Sequence, residues 1–440
     1  MRIRLKQLAN LALCVFLGAA AGASAQQPNV TRKRIPQDPA AAALKKLLAD
    51  AQIAVDSKDF EAAVSDYQEY LAKKPDDATV HFLLGYAYTA LQRPADAKSE
   101  YEKAISLDPK MPEAYLNLGL TIMEADPGGA VAPLRKAVEL LPDQARPKFL
   151  LGWALERSGK LDAAIEQYQA AKEIDDQDFE IRFALGRVLL TSDRPKDAET
   201  EFREAVTLQS NSATAHLGLA QSLFAQKKLE AAAAEYAEYL SIEPNDLAAR
   251  VERASALVDL GRDDDALVEL DRVAAGGTED LRALKLRSLV YFHKKRYNDA
   301  VPVLQKAATL APQDPDIPAR LGHVYLEKKD YANAVRVLVV AFKMNPQSND
   351  VLGDLIAGQY LNKNYPAALQ GLDLLGQREP LPLGSWFIRA TCYDKLGQLP
   401  QALEAYQKFL ELNKDENNDM YFESAARART IARELKDKKR

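Results

Sequence analysis

The sequence predicts an all-α solenoid of stacked helix–turn–helix units closed by a C-terminal capping helix. Three observations carry that prediction. An alanine recurs at 63, 97, 130, 164, 198, 232, 266, 300, 334, 368 and 402, with steps of 34 residues in nine cases and 33 in one. Eleven or twelve residues before each stands a small residue: Ala51, Gly85, Gly119, Gly152, Gly186, Ala220, Ala254, Ser288, Gly322, Ala357 and Ala390. Twelve residues after the alanine comes Pro75, Pro109, Pro142, Pro244, Pro312, Pro346 or Pro380, in seven of the eleven units. A fixed period of this size marks a repeat architecture in which each unit buries its apolar face on the next.

Residues 1–25 read as a secretory signal peptide. Arg2, Arg4 and Lys6 form a basic start, Leu11–Ala21 is an uninterrupted apolar run of 11 residues, and Ala23-Ser24-Ala25 offers an A-x-A cleavage site. A membrane-spanning helix needs about 20 apolar residues. The alternatives are an uncleaved anchor over residues 8–25 and a lipoprotein acylated at Cys14, although Leu13 is larger than that second pattern asks. Cleavage after Ala25 removes three basic residues and no acid, taking the formal charge from −5 to −8. It also removes Cys14, leaving Cys392 as a lone cysteine that reads as a small buried hydrophobe. Localisation is therefore expected to be exported, periplasmic or secreted, with no transmembrane segment in the mature chain. Residues 26–43, with three prolines and the triplet Arg32, Lys33, Arg34, read as a flexible linker.

Residues 44–416 form eleven units. In the second, His81, Leu84, Gly85 and Tyr88 lie three or four apart, and so do Ala97, Tyr101, Ala104 and Ile105. Both are helical stripes. Arg93-Pro94 marks the turn between them, because proline disfavours helix at the residue before it. The small residues serve close approach, since helices pack at about 8–10 Å and the tightest crossings need Gly, Ala or Ser. The third and tenth units are one residue short between their helices. Residues 417–440 read as the polar cap that a stack requires, with Phe422, Ala425, Ala426, Ala432 and Leu435 as the packing stripe and a basic tail from Lys436 to Arg440.

Composition narrows the function. The 440 residues are 47% hydrophobic and 28% charged, which is globular and excludes a disordered chain. Two cysteines exclude a disulfide scaffold and a four-cysteine zinc module. A net charge of −5 argues against a general nucleic-acid binder.

A small residue, an alanine twelve on, often a second alanine seven further, and a closing proline in a unit of 34 residues: this pattern resembles the tetratricopeptide repeat. The resemblance covers 373 of 440 residues and implies a right-handed superhelix whose first helices line a concave, ligand-holding face. On that face, by the family's positions, fall Phe82 and Tyr86, Leu116 and Leu120, Phe149 and Trp153, and Phe183 and Arg187, followed by Leu217 and Phe224. Exposed apolar residues with Trp, Tyr and Arg among them suit a partner-binding site. The competing reading has Phe82, Phe149 and Phe183 packing on neighbouring helices. Later units put Arg282, Lys285, His293, Arg320 and His323 beside Asp316, Glu327, Asp354 and Asp394. No three consecutive units complete the set with which some family members clamp a terminal carboxylate.

No Walker, dinucleotide-binding, nucleophile-elbow or H-E-x-x-H motif occurs. His81 and His216 fall on the packing stripe and read as core histidines, while His293, His323 and Glu327 offer a weak three-ligand alternative for a metal. The expectation is a non-enzymatic scaffold without cofactor or metal. It would bind other proteins or peptides in the groove and organise an envelope complex in assembly or secretion. The alternative is a carbohydrate-binding or polysaccharide-export accessory with a glycan partner.

Overall fold

The computed structural model describes residues 39–277, 280–413 and 419–437. The segment read as a signal peptide, most of the expected linker with its basic triplet, and the last three residues of the basic tail lie outside the described residues. The chain divides into two compact units, Met1–Ser222 and Leu223–Arg440.

In the first unit the helices are α1 (Pro39–Asp56), α2 (Phe60–Lys73), α3 (Ala78–Ala90), α4 (Pro94–Leu107), α5 (Pro112–Ile122), α6 (Pro127–Leu140), α7 (Ala145–Arg157), α8 (Leu161–Lys172), α9 (Phe179–Thr191) and α10 (Pro195–Leu208), leading into α11 (Ala213–Ala225). The second unit holds α12 (Leu229–Ile242), α13 (Leu247–Asp259), α14 (Asp263–Ala275), α15 (Leu281–His293), α16 (Tyr297–Leu310) and α17 (Asp316–Glu327). It continues with α18 (Tyr331–Met344), α19 (Asn349–Leu361), α20 (Tyr365–Arg378), α21 (Leu383–Lys395), α22 (Leu399–Leu412) and α23 (Asp419–Asp437). From α1 to α10, and from α12 to α23, every helix packs on the one before and the one after it. No strand occurs among the described residues.

The α3–α4 pair shows how the sequence makes a unit. Asp77 caps α3 by accepting the Val80 N–H at 3.2 Å. At its other end Gln92 turns into the left-handed region (φ 58°). There the Arg93 N–H donates to Tyr88 O at 2.9 Å and the Gln92 N–H to Thr89 O at 3.1 Å, the two bonds of a Schellman stop. Pro94 then occupies the first turn of α4, where its missing N–H costs nothing. Gly85 faces the ring of fully buried Tyr101, and a Cβ on that glycine would lie 2.8 Å from it.

The same crossing recurs as Gly119 on Leu134, Gly152 on Tyr168, Gly186 on Phe202 and Gly322 on Leu338. The left-handed turn recurs at Lys58, Asp193, Lys227, Lys295, Lys329 and Lys363, and as glycine at 159, 261 and 397. α5 ends two residues earlier than its neighbours α3 and α7, and its connection to α6 has four residues in place of three, none of them left-handed; the net loss of one residue accounts for the single 33-residue step.

A polar lock lies under several of these pairs. His81 spans the Glu100 carboxylate (2.6 Å) and the Pro75 carbonyl (2.8 Å). At the equivalent place Arg182 donates to Glu201 (3.1 Å) and Asp176 O (2.7 Å), and Arg250 donates to Glu269 and Pro244 O, both at 2.6 Å. His216 lies 3.0 Å from Ser210 O. His81 and His216 are buried, as core histidines should be.

Three expectations change. The linker ends earlier than residue 43, because α1 starts at Pro39: a proline in the first turn followed by four alanines favours helix, and Leu44, Leu47 and Leu48 pack on the first core. The tenth unit is not short. Spacing puts Ala357 at its crossing, but Ile356 is the buried residue there, and a Cβ on Gly371 would lie 2.6 Å from Ile356. The small residue has moved to the second helix of the pair. On α23 the packing face is Ser424, Ala428 and Ile431, joined by partly buried Leu435, while Phe422 is 60% exposed. Those four positions follow helical spacing, and the expected stripe through Phe422 does not.

Gly119→Val is expected to destabilise by about 1–3 kcal/mol, because fully buried Leu134 must move. Gly353→Ala meets nothing within 4 Å and should stabilise its helix by about 0.5–1 kcal/mol. Urea midpoints of the two variants moving in opposite directions would check the assignment of the crossing.

Candidate partner-binding face

In the first unit α3 touches α5 and α7 touches α9, so first helices meet along one face. The structure sorts the eight predicted residues on that face into two rows. Phe82, Leu116, Phe149 and Phe183 form the inner row. Phe82 is buried, with its ring 5.8 Å from Tyr101, and is a packing residue, which corrects its assignment to the partner site. Phe149 leans on Tyr168 (5.7 Å) and Phe183 on Phe202 (5.8 Å). These contacts follow from the crossing geometry, because each aromatic stands one turn before the glycine that meets the same partner ring. Both rings and Leu116 remain partly exposed, and Phe179 stacks on Phe183 at 5.8 Å and 8°.

The outer row is Tyr86, Leu120, Trp153 and Arg187. Tyr86 is partly buried against the edge of Phe60 at 6.4 Å, and burial pushes its hydroxyl pKa up. Leu120 and Trp153 are partly buried, with the Arg157 guanidinium 5.9 Å from the indole centre. Arg187 is exposed and donates to Glu156 at 2.8 Å. The same Glu156 oxygen accepts the Tyr168 hydroxyl at 2.8 Å, and burial followed by this carboxylate drives the phenol pKa upward. Sequence reasoning missed Glu156, Arg157 and Phe179. Opposite charges at Glu156 and Arg187, 31 residues apart on the first helices of adjacent units, were the signal that could have found the first.

First helices of the second unit present charge that is already paired. Arg282 holds Glu252 with two nitrogens, Lys285 holds Asp314, and His323 lies 3.0 Å from Asp354. His293 lies 3.3 Å from Asp263, the Tyr297 hydroxyl donates to Glu327 at 3.3 Å, and Arg427 grips Asp394 through two bonds of 2.7 Å. Arg320 and Asp316 are exposed. The three-ligand alternative is corrected: His293 and His323 turn to different carboxylates, and no group of three or more His, Cys, Asp or Glu able to hold a metal occurs among the described residues. Cys392 is buried, and burial pushes its thiol up to about 12.

The hydrogen bond that His323 makes to the Asp354 carboxylate raises the His323 pKa above its usual value, against the opposing effect of burial. A raised folded-state pKa adds stability below the unfolded value of about 6.5, and that stability fades as pH rises through the folded value. Asp354→Asn is expected to lower the His323 titration midpoint seen by NMR and to flatten the fall in stability between weakly acidic and alkaline pH.

The tetratricopeptide-repeat profiles match residues 48–112, 124–179 and 183–246, residues 223–290 and 291–340, and residues 384–416. Among solved structures, MamA (residue 41 to its end) from Desulfovibrio magneticus RS-1 is 22% identical with a TM-score of 0.37, covering 39% of this chain and 97% of that one. YrrB, described as a tetratricopeptide protein with an unusual peptide-binding site, is 20% identical with a TM-score of 0.39, covering 42% and 95%. Yeast Tom70 is 11% identical with a TM-score of 0.34, covering 89% and 96%. Comparison with curated proteins by sequence gives no match. Matched repeats over most of its length, on a chain of consecutively packed helix pairs, place this protein in the tetratricopeptide-repeat family.

Proposed function

We propose that the protein is a scaffold that holds an extended segment of a partner protein against the first-helix face of its Met1–Ser222 unit. Family membership supports a protein-interaction scaffold. The observation that carries the finer reading is the outer row: Tyr86, Leu120 and Trp153 present partly exposed apolar surface from consecutive first helices, and Arg187 follows on the next. An open apolar row suits side chains displayed along an extended chain better than it suits a small molecule, which needs concave enclosure. The half-covered aromatics need little further ordering on binding, and Trp, Tyr and Arg are the types that dominate interface energetics. The inner row braces this surface.

We also propose that the protein is exported and organises its partner in the cell envelope. The basic start, the short apolar run and Ala23-Ser24-Ala25 support that reading. N-terminal sequencing of the protein from its native cells should find Gln26 first, and an intact Met1 would count against it. No described helix is long and apolar enough to cross a membrane.

The binding test is a paired one. A partner captured by the wild type is measured against Leu120→Ala/Trp153→Ala and against Phe149→Ala. The double variant should bind about 30-fold or more weakly, at unchanged helicity, if its residues are hot spots. Phe149→Ala should lose stability and keep affinity, because its ring rests on Tyr168. The opposite pattern would move the site to the inner row. A captured glycan in place of a protein would favour the carbohydrate reading.

A further inference from the structure

The turns joining first to second helices in the Leu223–Arg440 unit carry an unusual choice of residue. The left-handed position is Lys227 (φ 61°), which lies over the Phe224 ring, and then Lys295 (φ 56°), Lys329 (φ 63°) and Lys363 (φ 61°) in three consecutive pairs. Glycine fills the same position at Gly261 and Gly397, in open space. Glycine adopts this conformation without strain and lysine does not. The backbone therefore gives no reason for lysine at these tips.

Charge gives one. Lys328 precedes Lys329, and Lys395 sits two residues before Gly397. Lys295, Lys328, Lys329, Lys363 and Lys395 are exposed, and among the described residues none of the five is in an ion pair. Three acids of this edge already face cations. Asp264 takes Lys294 (2.8 Å), Asp299 takes Arg296 (2.7 Å) and Asp394 takes Arg427 (2.7 Å). Among the described residues Glu327 and Asp330 bond only the Tyr297 hydroxyl (3.3 Å) and the Asn333 amide (2.8 Å), so they offset the charge of Lys328 and Lys329, and the excess of positive charge rests on Lys295, Lys363 and Lys395. Two large apolar side chains stand among the cations: Leu361 is 42% exposed and Leu396 37% exposed.

We propose that this turn edge rests on an anionic lipid bilayer, with the lysines over the headgroups and Leu361 and Leu396 entering the interface. Neighbouring helices pack at about 8–10 Å, so the tips form a row of separated charges. A row on turn tips offers no cleft for an acidic peptide, whereas a flat anionic surface meets every tip at once. Mixed basic and apolar contact is the chemistry of interfacial attachment. With a net charge of −5 the chain as a whole is not drawn to anions, so attraction to an anionic surface must be local, as at this edge.

The test uses the full chain and vesicles of phosphatidylcholine with or without phosphatidylserine. The informative variant is Lys295→Gly/Lys329→Gly/Lys363→Gly, which removes three charges while relieving the turns. It should melt no lower than the wild type. Its affinity for phosphatidylserine vesicles should fall by about 100-fold, at about fivefold per lysine. Lys295→Gln/Lys329→Gln/Lys363→Gln repeats the measurement with side-chain bulk retained. Residues 1–38 are common to wild type and variants, so binding owed to them cancels. Equal binding by wild type and both variants overturns the proposal, as does indifference of the wild type to phosphatidylserine. Leu361→Ser/Leu396→Ser should also weaken vesicle binding. If that variant binds vesicles normally, and polyglutamate competes fully with them, the partner is a soluble acidic polymer and the bilayer reading fails.

Discussion

Everything in this fold hangs on one close contact, the crossing of the two helices in each pair. A glycine or alanine on the first helix lets a large buried side chain of the second lie across it, as Tyr101 lies on Gly85 and Leu338 on Gly322. That contact sets how near the backbones come, and so where the connecting turn must reverse. In the tenth pair Ile356 stands where the small residue stands elsewhere, and Gly371, next to fully buried Leu372 on the second helix, makes room for it.

The turns and the buried polar groups follow from the crossing. With the helices so close, the chain must reverse within a few residues, and a single left-handed residue does it in ten of eleven turns. In three pairs a polar lock ties the first helix to its own second helix and to the turn that precedes the pair. The His81 ring and the guanidinium groups of Arg182 and Arg250 each bind the carbonyl six residues earlier and a glutamate of their own second helix. A buried pair of this kind adds little net stability over an apolar equivalent, but any other register would leave a charge buried and unpaired, at a cost of about 3–5 kcal/mol. We infer that its role is to select one stacking arrangement.

The repeat was legible because its determinants are local and periodic: small residue, alanine and proline fall at fixed steps. What spacing could not show is which of two adjacent residues faces the partner helix. Ala357 and Ile356 differ by one residue, and the choice depends on Gly371 across the interface. The same limit explains Phe82. Its position marks it for the open face, but a neighbouring aromatic ring, Tyr101, decides how far it sinks. The start of α1 was obscured by reading prolines as linker, when Pro39 is in the first turn of a helix. On α23 too many alanines made several stripes equivalent by sequence, and only Ile431 and Ser424 against the preceding helix pair chose among them.

The two units also divide the chemistry of their first-helix faces. In the second, Arg282, Lys285 and His323 are satisfied by carboxylates of neighbouring elements, so a charged ligand entering there must break existing pairs for each one it makes. Such exchange yields little net free energy. In the first, Leu120 and Trp153 are only partly covered, and covering them completely releases water without breaking anything. At about 25 cal/mol per Å² of apolar surface removed from water, an anchor that still exposes some tens of Å² gains on the order of 1 kcal/mol from burial alone. The same reasoning separates the lysines of the turn edge from the charges on the face. A paired cation has its counter-ion already, whereas Lys295, Lys329 and Lys363 are exposed and in no ion pair among the described residues.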